Sequence, residues 1–225
     1  MSISVVIPVL NEEGCLVETL RLLRQQKPAE IIVVDGGSSD RTVPLAKQWA
    51  DVVLRGPRGR AVQMNYGARQ ARGDVLLFLH ADCSLENGAL LEAEKKLRSR
   101  RVVAGCFTMT VRASGLLYRA IDRCATARVR LTGLVYGDQG LFLRRQQFFE
   151  WGGFPPVDLM EDLFFSRSLR RKGKIVVSRR RIFVSPRRWQ QAGIVRQTLK
   201  NWTLTALAAG GVSPNRLAPF YPALR

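Results

Sequence analysis

Val75-Leu76-Leu77-Phe78-Leu79-His80-Ala81-Asp82 is an apolar run that ends in a carboxylate. A stretch of this length without alternating polar positions predicts a strand buried on both faces, as in a parallel sheet covered by helices. Asp82 then falls at the carboxyl end of that strand, where open α/β sheets bind their ligands. The same pattern occurs twice upstream. Ile3-Ser4-Val5-Val6-Ile7-Pro8-Val9-Leu10 stops at Asn11-Glu12-Glu13, and Ile31-Ile32-Val33-Val34 stops at Asp35-Gly36-Gly37-Ser38-Ser39-Asp40-Arg41-Thr42. Three buried strands thus deliver acidic and small polar groups to one sheet edge. Such an edge suits a metal ion, a ribose or a sugar.

Helical segments separate these strands. Leu16, Leu20, Leu22 and Leu23 form an apolar stripe, with Glu12, Glu13 and Glu18 near its start, where the helix dipole favours negative charge. Asp40 is placed to cap a helix from Arg41 to about Trp49, with Pro44 tolerated in its early turns. Val52-Val53-Leu54 predicts a short strand and Ala61 to Arg72 a helix leading through Gly73-Asp74 to the Val75 strand. Alternating strands and helices with short connections imply an α/β fold with a mainly parallel sheet and helices on both faces. Beyond Arg101 the pattern predicts strands at Val102-Val103 and Phe107–Val111, a helix from Leu116 to Leu131, and a loop and strand from Tyr136 to Leu143. Asp162 to Arg171 reads as helical, Ile175-Val176-Val177 and Ile182-Phe183-Val184 as short strands, and Val195 to Ala209 as a final helix.

The 225 residues carry 36 Lys and Arg against 18 Asp and Glu, a formal charge of +18 that draws anions such as nucleotide diphosphates, nucleic acid or anionic lipid. Many of the cations, among them Arg179-Arg180-Arg181 and Arg187-Arg188, follow the Asp82 strand. No apolar run approaches the roughly 20 residues of a membrane span, and Met1-Ser2-Ile3 leads straight into a strand, so a soluble, cytoplasmic chain is expected. Cys15, Cys83, Cys106 and Cys124 lack the close spacing of a zinc or redox pair and are expected to be reduced. His80 is the one histidine, which leaves a Ser-His-Asp triad no spare base and removes any multi-histidine metal site. No Gly-x-x-x-x-Gly-Lys-Ser/Thr loop occurs, and no Gly-x-Gly-x-x-Gly follows the first strand. What remains is a set of strand-end carboxylates, a Gly-Arg-rich loop from Arg55 to Arg60, and the pair Glu161-Asp162. Hard oxygen donors of this kind suit Mn²⁺ or Mg²⁺ and a departing diphosphate.

Taken in order and spacing, Ile7-Pro8-Val9-Leu10-Asn11-Glu12-Glu13, Val33 to Thr42, Phe78-Leu79-His80-Ala81-Asp82 and Glu161-Asp162 make the chain resemble family 2 glycosyltransferases of the GT-A fold, over nearly its whole length. Through Gly137-Asp138-Gln139-Gly140 it is most similar to the small bacterial members associated with arsenosugar biosynthesis. The resemblance implies one GT-A (Rossmann-like) domain over residues 1–225, with residues 1–100 as the nucleotide-binding half and 101–225 as the acceptor-binding half with the C-terminal helix. It implies an inverting transfer of sugar from a nucleotide-diphospho-sugar to an acceptor hydroxyl, assisted by Mn²⁺ or Mg²⁺.

Residue by residue, the resemblance places Pro8, Leu10 and Glu12 in the nucleoside pocket, Asp35 on the base or ribose, and Arg60 and Asn65 over the nucleotide near the diphosphate. Asp35 could instead cap a helix, and Arg60 could be a solvated loop charge. Asp82 matches the metal-reaching end of the family's Asp-x-Asp motif, but His80 stands at its first acidic position. Imidazole ligates Mn²⁺ and is a poor partner for Mg²⁺, so this departure bears directly on metal use; a purely structural His80 is the alternative. Asp162 is implied as general base with Glu161 orienting it, against a plain helix-capping role for the pair. Asp138 and Gln139 are implied at the acceptor or donor sugar, or else form a polar turn. Arg187-Arg188-Trp189 is similar to the family's basic-aromatic segment for diphosphate and sugar, without its usual leading glutamine.

Two other readings share this architecture. A GT-A-fold protein weakened in catalysis would use the basic surface to bind anionic lipid or nucleic acid. His80 favours it, whereas the joint presence of Asp35, Asp82 and Asp162 opposes it, and Trp49, Trp151, Trp189 and Trp202 are too dispersed for a base-stacking stripe. A nucleotidyltransferase would carry a glycine-rich start with Arg and Lys where Asn11-Glu12-Glu13 stands. The charge further predicts peripheral contact with an anionic membrane face.

Overall fold

All seven residues of strand β1 (Ile3–Val9) are buried, as are all six of β2 (Glu30–Asp35) and all four of β4 (Val75–Phe78), which is why, Ser4, Glu30 and Asp35 apart, their side chains are apolar on both faces. In the computed structural model, which describes residues 1–221, these strands lie at the heart of an eight-stranded sheet of order β3-β2-β1-β4-β7-β6-β8-β5. The other members are β3 (Val52–Arg55), β5 (Cys83–Leu85), β6 (Val102–Val111), β7 (Leu141–Arg144) and β8 (Lys174–Val184). β3, β2, β1 and β4 run parallel; β7 pairs antiparallel with both β4 and β6, β6 and β8 are parallel, and β5 closes the sheet antiparallel to β8. The sheet is therefore mixed, and strands from both halves of the chain belong to it.

The helices are α1 (Leu16–Gln25), α2 (Thr42–Ala46), α3 (Arg60–Gln70), α4 (Ala89–Leu97), α5 (Leu116–Thr132), α6 (Arg145–Glu150), α7 (Glu161–Arg170), α8 (Arg187–Ala192), α9 (Ile194–Ala209) and α10 (Pro214–Leu217). They split the core by strand alternation. Val5, Ile7, Ile31, Val33 and Leu77 face one side and meet Leu16, Leu20 and Leu23 of α1 and Ala93 and Leu97 of α4. Val6, Ile32, Val34, Leu76 and Phe78 face the other, under Met64 and Ala68 of α3 and Phe165 and Leu169 of α7. Truncating a fully buried member such as Leu20 to Ala costs about 2–5 kcal/mol. Gly67 lets α3 approach closely, because a Cβ there would stand 2.5 Å from Val6 Cγ1 and 2.9 Å from Val34 Cγ2.

Register aligns the strand ends. Val9 pairs with Asp35, Asp35 with Arg55 and Val6 with Phe78, so the segments after β1, β2, β3 and β4 emerge along one edge. Asp40 lies just before α2, its Oδ1 accepting from the Thr42 amide at 2.9 Å, but the helix is shorter than the expected Arg41 to Trp49 and ends at Ala46. The structure corrects other local expectations. The Val75 strand ends at Phe78, and Asp82 lies in the turn that leads into β5 rather than at the strand's last position. Val102 to Val111 is one strand, and Lys174 to Val184 another, because backbone pairing with register shifts carries each through its middle. Arg179, Arg180 and Arg181 are thus exposed strand residues. In β6 the interrupting Gly105 is required by packing, since a Cβ there would fall within 2.3 Å of the Phe142 ring. β5 and α6 are too short to carry a periodic signal, whereas α4 buries Ala89, Leu90, Ala93 and Leu97 at helical spacing, a pattern that the sequence reading above does not use.

Candidate active site

The shared strand edge opens into a cavity of about 380 Å³. Pro8, Leu10 and Glu12 after β1, Arg60 at the start of α3, and His80 and Asp82 after β4 form part of its wall. Asp138, Asp162, Arg187, Arg188 and Trp189 contribute from the second half of the chain. The sheet thus gathers most of the expected residues, from sequence positions far apart, at one place.

Asp162 is held firmly. Met160 takes the left-handed conformation with φ 63, a turn that costs about 1–3 kcal/mol in a residue with a side chain and presents Glu161 and Asp162 as the first residues of α7. Asp162 Oδ1 accepts from the Leu163 amide at 2.6 Å, and Oδ2 accepts from the Gly137 amide. Behind it, Glu161 is buried and pairs with Arg60, whose Nε lies 3.0 Å from its Oε1. Burial lifts the Glu161 carboxyl above its ordinary range despite that guanidinium, while Glu161 in turn raises Arg60. Glu161 therefore acts through Arg60 rather than touching the cavity.

His80 and Asp138 face the cavity with polar atoms unsatisfied. Among the described residues, His80 Nε2 and Asp138 Oδ1 are buried without a hydrogen-bond partner, which a purely structural histidine or a simple polar turn does not require. Burial, reinforced by the nearby Arg60 charge, lowers His80 to about 4, so the imidazole is neutral near pH 7. Burial raises Asp138 to about 6, with Asp162 and Asp82 adding in the same direction. Gly137 brings the two regions together: a Cβ there would stand 2.7 Å from His80 Nε2 and 2.9 Å from Asp162 Oδ2.

Cationic groups complete the wall. Arg187 Nη2 sits 3.2 Å from Glu12 Oε2, and its buried Nε has no hydrogen-bond partner among the described residues. Arg188 stacks over the Tyr221 ring at 4.5 Å, and Trp189 Nε1 donates to Thr198 Oγ1 at 3.3 Å. Among the described residues, no three His, Cys, Asp or Glu side chains form a group able to hold a metal ion. His80 and Asp82 offer one neutral nitrogen and one carboxylate, so a divalent ion would take its remaining ligands from elsewhere, such as diphosphate oxygens.

Three expected residues lie behind the wall. Asp35, 1% exposed, accepts from the Gly37 and Ser38 amides at 3.1 and 3.0 Å and shapes the loop after β2. Asn65 clamps Phe154, donating to its carbonyl at 2.8 Å and accepting from its amide at 3.0 Å. Gln139 is buried with Oε1 accepting from Arg128 Nη2 at 2.6 Å. Other wall residues were not singled out from sequence: Gln63, whose Nε2 donates to the Val9 and Val34 carbonyls at 2.9 and 2.7 Å, and Tyr136, Asn201, Thr205 and Tyr221. Gln63 is one polar residue on the buried side of a helix, a signal that its neighbours Ala61 and Met64 could have framed.

With this geometry in place, the comparisons with known proteins are direct. The profile described as "Glycosyl transferase family 2" matches residues 4–154. A 4,4'-diaponeurosporenoate glycosyltransferase of Staphylococcus haemolyticus is 32% identical over 130 residues, covering 54% of this chain and 34% of that protein. An undecaprenyl-phosphate 4-deoxy-4-formamido-L-arabinose transferase of Pectobacterium carotovorum is 43% identical over 94 residues, 36% of this chain and 29% of that protein. The chain thus spans only about a third of the length of these relatives. Among solved structures, a mannosyltransferase from Pyrobaculum calidifontis in complex with GDP-Man and Mn²⁺ superposes with TM-score 0.70 at 21% identity, over 96% of this chain and 67% of that one. S. aureus TarS 1-349 gives TM-score 0.65 at 20% identity, over 83% and 61%. At these identities the structural matches show the fold, which is GT-A.

Proposed function

This chain belongs to glycosyl transferase family 2, and from that premise we propose that it transfers a sugar from a nucleotide-diphospho-sugar to an acceptor hydroxyl with inversion. The observation that carries the reading is the placement of Asp162 and His80 about one Gly137 Cβ apart on the wall of a cavity that also holds Arg60 and Arg187. A base and guanidinium groups suited to a diphosphate then line the same cavity.

In the proposed reaction the acceptor oxygen attacks the anomeric carbon on the face opposite the diphosphate. Asp162 accepts the hydroxyl proton as the new C–O bond forms. The bond from the anomeric carbon to the phosphate oxygen breaks, and the nucleoside diphosphate leaves with its electron pair. One displacement without a covalent intermediate inverts the anomeric centre. Arg60, Arg187 and Arg188 meet the charge on the leaving group, and Glu161 and Glu12 hold the first two of these guanidinium groups in place. A divalent ion, when bound beside His80 and Asp82, supplies further positive charge there; the neutral imidazole favours Mn²⁺ over Mg²⁺.

Residues 1–100 supply the nucleotide side of this site and 101–225 the acceptor side, with residues 222–225 lying outside the described part of the chain. Pro8 and Leu10 pack on the nucleoside, and Asp138 contacts the sugar or acceptor. Asp35, Asn65 and Gln139 act by holding the loops that carry the wall. The Gly137-Asp138-Gln139-Gly140 turn is the basis for placing the chain near the arsenosugar-associated bacterial members. Two relatives are named for diaponeurosporenoate and for undecaprenyl phosphate, and these names support an amphiphilic acceptor here.

Calorimetric titration with UDP, GDP, CDP and dTDP, each with and without Mn²⁺, tests the reading. One nucleoside diphosphate is expected to bind, and Arg187→Ala is expected to weaken it roughly 10-fold, the scale of a lost charge-assisted hydrogen bond. Absence of binding in the whole panel, or an unaffected Arg187→Ala variant, would overturn the assignment of this wall to the diphosphate.

A further inference from the structure

Helices α5 and α9 touch, and each turns to solvent a face that folding leaves uncovered. On α9, Gln197, Leu204 and Ala208 are buried, whereas Val195, Leu199, Trp202 and Ala206 recur at helical spacing along the opposite side and are exposed, Trp202 by 54%. On α5, Tyr118, Asp122 and Val129 face inward, while Leu117, Ala120, Cys124, Ala127 and Leu131 form an exposed stripe, Leu131 being 81% exposed. Leu116 beside it is 88% exposed. Apolar residues in such a row on two neighbouring helices are more than scattered surface side chains.

Charge indicates what covers them. Arg123 and Arg130 flank the α5 stripe, and Arg196 and Lys200 flank that of α9. Residues 163–225 contain no Asp or Glu at all. The acid on α5, Asp122, is buried with its Oδ2 2.7 Å from Arg119. A second copy of the chain packed on the same face would set these cations against their own kind, which is unfavourable. An anionic lipid surface complements both features, because an interfacial helix buries an apolar stripe in the headgroup layer with cations along its polar flanks.

We propose that the α5–α9 face docks on an anionic bilayer, with Leu131, Leu199 and Trp202 entering the headgroup layer and Arg123, Arg130, Arg196 and Lys200 meeting lipid phosphates. The opposite face of α9 gives Gln197, Leu204 and Thr205 to the cavity wall, so docking sets the cavity beside the lipid surface. Docking requires no transfer reaction, and its failure would leave the reading of the cavity intact.

Flotation of the full chain with vesicles of phosphatidylcholine alone, or of equal parts phosphatidylcholine and phosphatidylglycerol, tests this directly. Binding is expected to the mixed vesicles, and to weaken with added salt. The double change Leu199→Ser, Trp202→Ser is expected to weaken it by about 10-fold or more, and Arg123→Glu, Arg130→Glu by about 10-fold or more. Thermal melting confirms that each variant is folded, and the α5 charge variant carries the test if the α9 variant is not. Equal binding to both vesicle types overturns the proposal, as does retention unchanged in the folded variants. So does a dimer in sedimentation that the α9 variant dissociates, because the apolar face is then covered by a second copy.

Discussion

Gly137→Ala places one methyl group against both the proposed base Asp162 and the cavity-facing His80. Gly137 lies outside the left-handed region, so alanine can adopt its backbone conformation and the effect is steric and local. The new Cβ would meet His80 Nε2 at 2.7 Å and Asp162 Oδ2 at 2.9 Å, against an ordinary contact that starts near 3.4 Å. Each side chain must retreat by half an ångström or more. Asp162 has little freedom to do so, since both its oxygens accept backbone hydrogen bonds. Overpacking of this kind costs about 1–3 kcal/mol of stability. A displacement approaching 1 Å at a reacting group costs on the order of 100-fold in rate, so release of nucleoside diphosphate from the donor is expected to fall roughly 10- to 100-fold. The assay is donor turnover at saturation, beside urea denaturation of the same samples. Gly14→Ala, where a Cβ meets nothing within 4 Å, serves as the control and is expected to keep parental turnover. A folded Gly137→Ala chain with parental turnover would refute the idea that His80 and Asp162 work in one fixed geometry.

Asp138 carries a pH signature. Its folded-state value is raised to about 6 from 3.8, so the folded chain holds a proton there that the unfolded chain has released. That contribution is fully present below about pH 4 and is lost as pH rises through 6. Asp138→Asn is therefore expected to gain up to about 3 kcal/mol on the parent between pH 4 and pH 7, read from urea denaturation in the presence of a chelator; an identical pH slope for both chains counts against a buried, protonated Asp138. His80→Asp adds a carboxylate beside Asp82, and its melting temperature is expected to fall without metal and to rise with Mn²⁺ more than the parent's does. An equal response in both chains would place any ion elsewhere.

Much of this was legible because burial on both faces of β1, β2 and β4 forces unbroken apolar runs, and the polar residue after each run marks the strand edge. Glu161-Asp162 was legible for a different reason, as acids that open a helix. What the sequence hid was set by tertiary contact. Gly105 reads as a break between strands until the Phe142 ring is seen to occupy its Cβ position. Asp35 and Asn65 are polar residues next to the site, and only their backbone partners, Gly37 and Ser38 for one and Phe154 for the other, show that they support the wall. Tyr136, Asn201 and Thr205 reach the cavity because α9 folds back over it, and the Tyr136 hydroxyl lies 2.6 Å from Thr205 Oγ1. Their spacing in the chain holds no trace of that meeting.

The most direct test of the central claim is the donor turnover of Asp162→Asn measured beside its donor affinity. Asparagine keeps the size of the side chain and one of the two oxygens that accept from backbone amides, and it cannot take the acceptor's proton; urea denaturation of the variant measures what the lost backbone hydrogen bond costs. General-base assistance is worth roughly 100- to 10,000-fold, so turnover by the folded variant is expected to fall by that order while the donor binds nearly as before. A folded, donor-binding Asp162→Asn chain that transfers at the parental rate would contradict the assignment of Asp162 as the base.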